Sequence, residues 1–241
     1  MRRLVDVPEH LDGGLEDAET LAGNLRDLRR VNRLFGGARL SIAALRRLVR
    51  AAGAARRSRA APLRVLDVGT GAADIPLALA RASGPWSRVD VTASDSRQEV
   101  LDAAARLEPR LRTRPGITLA LADGRSLPWP DGAFDVAHAS LVLHHLTHDD
   151  AVAFLRELAR VASLGVVVND LQRSRLAWLG AWLLLHAMTR NAWTLHDGPL
   201  SVRRAWTRRE AVALLREAGL RPVATVGGLA GHRWAIAAVG R

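Results

Sequence analysis

From about Leu15 to Val49 the apolar positions recur every three or four residues: Leu21, Leu25, Leu28, Val31, Leu34 and Phe35, then Leu40, Ile42, Leu45, Leu48 and Val49. That spacing predicts two amphipathic helices, interrupted at Gly36-Gly37. Residues 51–61, rich in Ala, Arg, Gly and Ser, read as a helix tail and linker. From Leu63 onward the pattern changes to short apolar runs that alternate with helical stretches. Strands are predicted at the run from Leu63 to Val68, at 88–95, at 117–123, in a fourth segment ending at Ser140, and at 164–170. Helices are expected between them at 73–82, 96–107 and 151–161. This alternation is that of a mostly parallel sheet covered on both faces, and the unbroken apolar run of 164–170 suits a strand buried on both sides.

Leu176 to Met188 is the most apolar helical candidate, yet it is too short to span a bilayer, which takes about 20 residues. Trp178 and Trp182 stand four apart and share a face, which suits a flat aromatic or greasy ligand; core packing or a dimer contact explains them equally well. Asn191 to Pro199 reads as a loop. Thr207 with Glu210 forms a capping box for the last helix, over 210–219, and 223–226 and 233–239 read as a closing antiparallel hairpin.

The chemistry centres on Asp67-Val68-Gly69-Thr70-Gly71-Ala72-Ala73-Asp74, a strand end that breaks into glycines and resumes as a helix. Gly69 and Gly71 can take positive φ and let the backbone approach a ligand, at which the free N–H groups of the next helix are aimed. Asp67 precedes the glycines, where it would repel a pyrophosphate, and the G-x-G-x-x-G spacing of a dinucleotide fingerprint is missing. A cationic ligand fits better. The segment resembles the first motif of the class I, Rossmann-like S-adenosylmethionine-dependent methyltransferases, with Ala73 standing where many members carry a third glycine. Further echoes follow in order: Asp95 closing the second strand, Asp123-Gly124, the Leu127-Pro128-Trp129 and Phe134-Asp135 loop, His144-His145-Leu146, and the Ala218-Gly219-Leu220 exit. The segment Arg29-Arg30-Val31-Asn32-Arg33 resembles the N-terminal helical cap of the ubiquinone/menaquinone methylase type.

The resemblance implies a seven-stranded, mostly parallel α/β sheet with a helical cap at 1–60, the methyltransferase domain at 61–241, and a lid at about 172–206. It assigns S-adenosylmethionine binding to Asp67, Gly69, Thr70, Gly71, Asp95, Ser96, Asp123, Gly124 and Ser140. Asp95 also reads as a helix cap, and Asp123 as an ordinary turn residue. His144, as a base oriented by Asp170, would serve a hydroxyl acceptor, although a packed histidine and a capping aspartate are the plainer readings. His145, Trp178, Trp182 and His186 are the residues expected to face the acceptor. No metal is expected: adjacent histidines on a helical turn diverge, and no H-E-x-x-H spacing occurs.

Composition adds limits. With no cysteine, disulfides and thiolate zinc sites are excluded. The formal charge of +11 would suit nucleic acid, but the basic residues are all Arg, scattered, and few aromatic platforms accompany them, so solvated faces account for the charge. The expectation is a cytoplasmic enzyme, monomeric or homodimeric, that methylates a hydroxyl of an aromatic or hydrophobic natural product such as a phenol, quinol or polyketide. Carbon methylation of a quinone precursor, an RNA or protein methyltransferase, and a non-catalytic nucleotide-binding protein are the alternatives.

Overall fold

The computed structural model describes residues 1–5, 7–13, 17–53 and 61–240. The two expected N-terminal helices are α1 (Ala18–Phe35) and α2 (Gly37–Ala52). Asp17 caps α1 by accepting the N–H groups of Glu19 and Thr20, and Gly36, at φ 73°, ends it in the left-handed region that a side chain resists. Most of the anticipated linker, 54–60, lies outside the described residues.

The strands β1 (Leu63–Val68), β2 (Val89–Asp95), β3 (Ile117–Leu121), β4 (Phe134–Ser140), β5 (Ala162–Leu171), β6 (Leu220–Gly227) and β7 (Arg233–Gly240) form one sheet in the order β3-β2-β1-β4-β5-β7-β6. The first five are parallel, and β7 runs antiparallel between β5 and β6. Chain order reverses between β1 and β4, so the loops at their carboxyl ends part and leave a crevice.

Both faces are apolar because both are covered. Val65, Val136 and Val167 point to the face where Leu40, Leu45 and Leu48 of α2 pack. Their neighbours Leu66, Ala137 and Val166 point to the other, against α5 (His148–Val161) and α8 (Arg208–Glu217). Each fully buried leucine contributes roughly 2–3 kcal/mol, which is why the strands read as continuous apolar runs. The predicted capping box is present: Thr207 accepts the N–H of Glu210, and Glu210 accepts that of Thr207.

Around the crevice stand α3 (Asp74–Leu79), α4 (Gln98–Leu107), α6 (Arg175–Met188) and α7 (Ala192–Arg204). Helix α3 is shorter than its sequence pattern, since the chain turns at Ala80–Ala82 and Trp86 Nε1 bonds the Ala82 carbonyl. The segment expected as a loop, Asn191–Pro199, belongs instead to α7. Asn191 supplies the cap by accepting the Thr194 N–H, and Gly198 allows α6 to approach so closely that a Cβ there would lie 2.0 Å from Leu185 Cδ1. Gly198 and Pro199, punctuation in the sequence, are packing residues here. Among the described residues no helix is long and apolar enough to cross a membrane.

Candidate active site

The crevice opens into a cavity of about 370 Å³ whose wall includes Asp67, Gly69, Thr70, Gly71, Asp95, Ser96, Ser140, His144 and His145. Asp123 and Gly124 line an adjoining cleft that shares Gly69, Ser96 and Val142 with it. Asp170 lies behind His144, fully buried. On the far side, Ala181, Leu184 and Leu185 of α6 form the wall. Trp178, Trp182 and His186 are on neither wall; Trp182 and His186 lean on one another at 4.4 Å, and both are exposed. The spacing 181, 184, 185 selects one face of α6, and Trp182 stands about 100° round the helix from Ala181, off that face.

The glycine turn is shaped by its neighbours. Gly69 has φ 71°, and a Cβ on it would lie 2.5 Å from Val142 Cγ2, so both the conformation and the space demand glycine. Ala73 adopts φ 53°, a left-handed conformation that glycine would take without strain. Asp95 Oδ2 accepts the Gly71 N–H at 3.1 Å and Oδ1 that of Arg97 at 3.4 Å, which ties the end of β2 to the turn. Burial raises the Asp95 carboxyl above its ordinary range. Asp123 is held differently: half-exposed, it pairs with Arg125 at 2.7 Å and is lowered by that bond.

Asp67 is buried, with Oδ1 2.5 Å from His138 Nδ1, and His138 Nε2 reaches Ser41 Oγ of α2 at 2.8 Å. Asp74, at the first position of α3, is pushed up to about 6 by burial. Arg233 is buried, among the described residues without a carboxylate in contact; its three nitrogens donate to Asn169, Asn32 and Ser140 at 2.6, 2.6 and 2.7 Å. Burial lowers its guanidinium to about 10, against the pull of Asp170 and Asp74.

His144 sits on a single helical turn, Leu143–His145, right after β4. Its Nδ1 lies 2.7 Å from Asp170 Oδ1, and its backbone N–H donates to Asp170 Oδ2 at 3.0 Å. Burial would raise Asp170, but His144 and the Leu171 N–H outweigh it and hold the carboxyl below its ordinary range. An ionised Asp170 only accepts, so it keeps a proton on Nδ1 and leaves Nε2 with a lone pair. The turn is clamped: Trp206 Nε1 donates to Leu143 O at 2.9 Å, Arg204 to His145 O at 3.0 Å, and Arg3 to Leu146 O at 2.7 Å.

Sequence reasoning missed Glu9, Asp12, Asn32, Asp74, His138 and Arg233. Asp74 and His138 lay within recognised segments, next to the glycine turn and inside β4. Glu9 and Asp12 fall in a stretch without periodicity, and no local signal marks them.

The residues present suit S-adenosylmethionine. Thr70 Oγ1 is buried at the turn with no partner, the Gly69 cradle lets backbone meet ligand, and the carboxyls of Asp67, Asp74 and Asp95 give a wall fit for a cation and for ribose hydroxyls. Residues 65–165 match the family model described as a methyltransferase domain. The chain thus carries a region similar to methyltransferase domains. Over 114 residues it is 34% identical to the ubiquinone/menaquinone biosynthesis C-methyltransferase UbiE of Burkholderia mallei, a match covering 47% of this chain and 44% of that protein. The chain thus spans less than half the length of the curated relatives it matches. The chain also shares its fold with an S-adenosylmethionine-dependent methyltransferase from Aquifex aeolicus, at TM-score 0.61 and 20% identity over 90% of this chain and 97% of that one. A putative methyltransferase in complex with the Trm112 activator of Haloferax volcanii gives TM-score 0.62 and 16% identity over 95% and 99%.

Proposed function

We propose that the chain is an S-adenosylmethionine-dependent methyltransferase that methylates a hydroxyl oxygen of a small, largely apolar molecule. One observation carries this reading: a single cavity at the sheet's switch point is lined by an acidic wall, by an apolar wall from α6, and by His144, which Asp170 backs. In this reading residues 1–60 cap the domain of 61–241, and the insertion at about 172–206 closes over the acceptor.

When bound, the cofactor supplies a methyl group already activated on a sulfonium. The protein's part is to hold, align and keep dry. Asp67, Thr70 and Gly71 would hold the methionine end, Asp95 and Ser96 the ribose, and Asp123 with Gly124 the base. Ala181, Leu184 and Leu185 exclude water. His144, its Nε2 free, would take up the hydroxyl proton, and the phenols, quinols and polyketides of natural product pathways are acceptors of that kind. Carbon methylation is the second reading, favoured by the name of the Burkholderia relative. Calorimetric titration with S-adenosylmethionine, S-adenosylhomocysteine and NAD tests the cofactor assignment; binding of NAD alone overturns it. Transfer of labelled methyl to a panel of phenols, with mass analysis of the product, separates oxygen from carbon transfer.

A further inference from the structure

The N-terminal segment places a second carboxyl beside His144. Glu9 is 4% exposed and lies on the cavity wall. Its Oε2 accepts the Ser201 hydroxyl at 2.9 Å, whereas Oε1 is buried with no hydrogen-bond partner. Oε1 stands 3.8 Å from His144 Nε2, the ring nitrogen that Asp170 leaves free. That gap is too wide for a direct hydrogen bond and suits one hydroxyl oxygen seated about 2.8 Å from each, donating its proton to one and accepting from the other when that one is protonated. An unmet buried carboxylate oxygen is costly, and a ligand hydroxyl would satisfy it.

We propose that Glu9 Oε1 and His144 Nε2 form a hydroxyl-binding subsite that takes an alcoholic or phenolic oxygen of the acceptor between them, with Glu9 as a catalytic residue. The inference rests on the methyltransferase reading and deepens it, because it specifies a hydroxylated acceptor. Oxygen methylation forms an O–C bond, breaks the S–C bond with its electron pair passing to sulfur, and releases the hydroxyl proton. Glu9 or His144 receives that proton. Burial raises the Glu9 carboxyl to about 7, against the pull of His145, Ser201 and Arg204 and with a further push from Asp12, so it both accepts and returns a proton near neutrality.

The groups facing Glu9 also bear on a rival use. His145 Nε2 is 3.9 Å from Glu9 Oε2, and His145 Nδ1 bonds Asp12 Oδ1 at 2.7 Å. Glu9, His144 and His145 therefore offer donor atoms within 4.8 Å of one another, a metal-like grouping. The Arg204 guanidinium lies 3.6 Å from that same Oε1 and pairs with Asp12 at 2.5 Å, so a cation already faces these carboxyls. A neutral hydroxyl fits beside Arg204 better than a divalent ion.

The test uses 4-nitrophenol as the hydroxyl probe on the full chain saturated with S-adenosylhomocysteine, read by the absorbance of its phenolate. Wild type is expected to bind it, and the neutral isostere Glu9→Gln to bind at least tenfold more weakly with a changed phenolate fraction. Glu9→Asp should recover part of the affinity. S-adenosylhomocysteine affinity should match wild type in both variants, and both should unfold in one cooperative thermal transition. Equal binding and an equal spectrum in Glu9→Gln, or no binding by wild type, overturns the subsite. So does stoichiometric Co²⁺ uptake that Glu9→Gln abolishes, which would make the cluster a metal centre. Failure of wild type to bind S-adenosylhomocysteine would instead strike the methyltransferase reading.

Discussion

Asp67 and His138 face each other across β1 and β4 as register partners, their side chains 2.5 Å apart and both buried. The acid that the glycine turn presents to the cavity is thus held from behind by an imidazole, which α2 holds in turn through Ser41. Removing the imidazole leaves a buried carboxyl short of its partner. His138→Ala should cost about 2–4 kcal/mol in urea unfolding. It should also weaken S-adenosylmethionine binding, because Asp67 is free to turn. A loss below about 0.5 kcal/mol would mean that the pair positions nothing.

Asp74 gives a pH signature. Its carboxyl stands at about 6 in the fold against an ordinary 3.8, so the folded state binds this proton more tightly than the unfolded chain. The group favours folding below about pH 4 and loses that contribution as pH rises through about 6. The gap of about two units corresponds to roughly 3 kcal/mol. Asp74→Asn keeps an oxygen for the Asn32 amide, which bonds Oδ1 at 3.4 Å, and removes the buried charge. The variant is expected to gain about 2–3 kcal/mol at pH 8 and almost nothing at pH 4, while binding the cationic cofactor less well. Unfolding curves that differ equally at both pH values would refute the assignment.

Gly69 combines two constraints that a paired substitution separates. Gly69→Ala meets Val142 Cγ2 and also forces a side chain into φ 71°. The single variant should lose S-adenosylhomocysteine binding by calorimetry and about 2–3 kcal/mol of stability. Adding Val142→Ala removes the clash but not the backbone cost, so roughly half of the stability should return. No recovery in the double variant would place the whole cost in the backbone.

The fold was legible because its signals are local. Apolar runs buried on both faces, the glycine turn and the Thr207 capping box each act within a few residues, and each appears where the pattern put it. Helix α7 was not, since Gly198 and Pro199 break helices in isolation and only the contact with Leu185 shows why glycine is needed there. The site was half legible. Asp67 and Asp95 mark strand ends and His144 the turn just after one, which sequence locates, and the Asp170 contact with His144 follows from two adjacent parallel strands. Glu9 and Asp12 reach the cavity by tertiary folding of an aperiodic segment, and Arg233 enters from the last strand, 201 residues from its partner Asn32. The two tryptophans of α6 share a face as their spacing says, but spacing could not tell which face the cavity would take.

His144 and Asp95 should separate chemistry from binding. His144 lines the cavity and is fixed by Asp170 through Nδ1, whereas Asp95 holds the glycine turn through Gly71. If proton removal assists transfer, His144→Ala should lower kcat by about 10²–10⁴-fold and leave the S-adenosylmethionine Kd within a few-fold. Asp95→Ala should do the reverse, raising Kd by tenfold or more while saturated turnover falls little, since it loses the Gly71 bond and the ribose contacts proposed for it together. Because Asp170 holds the His144 tautomer, Asp170→Asn should reproduce much of the kcat loss with the imidazole still in place. Wild-type turnover in His144→Ala would leave alignment and exclusion of water as the whole of the protein's contribution.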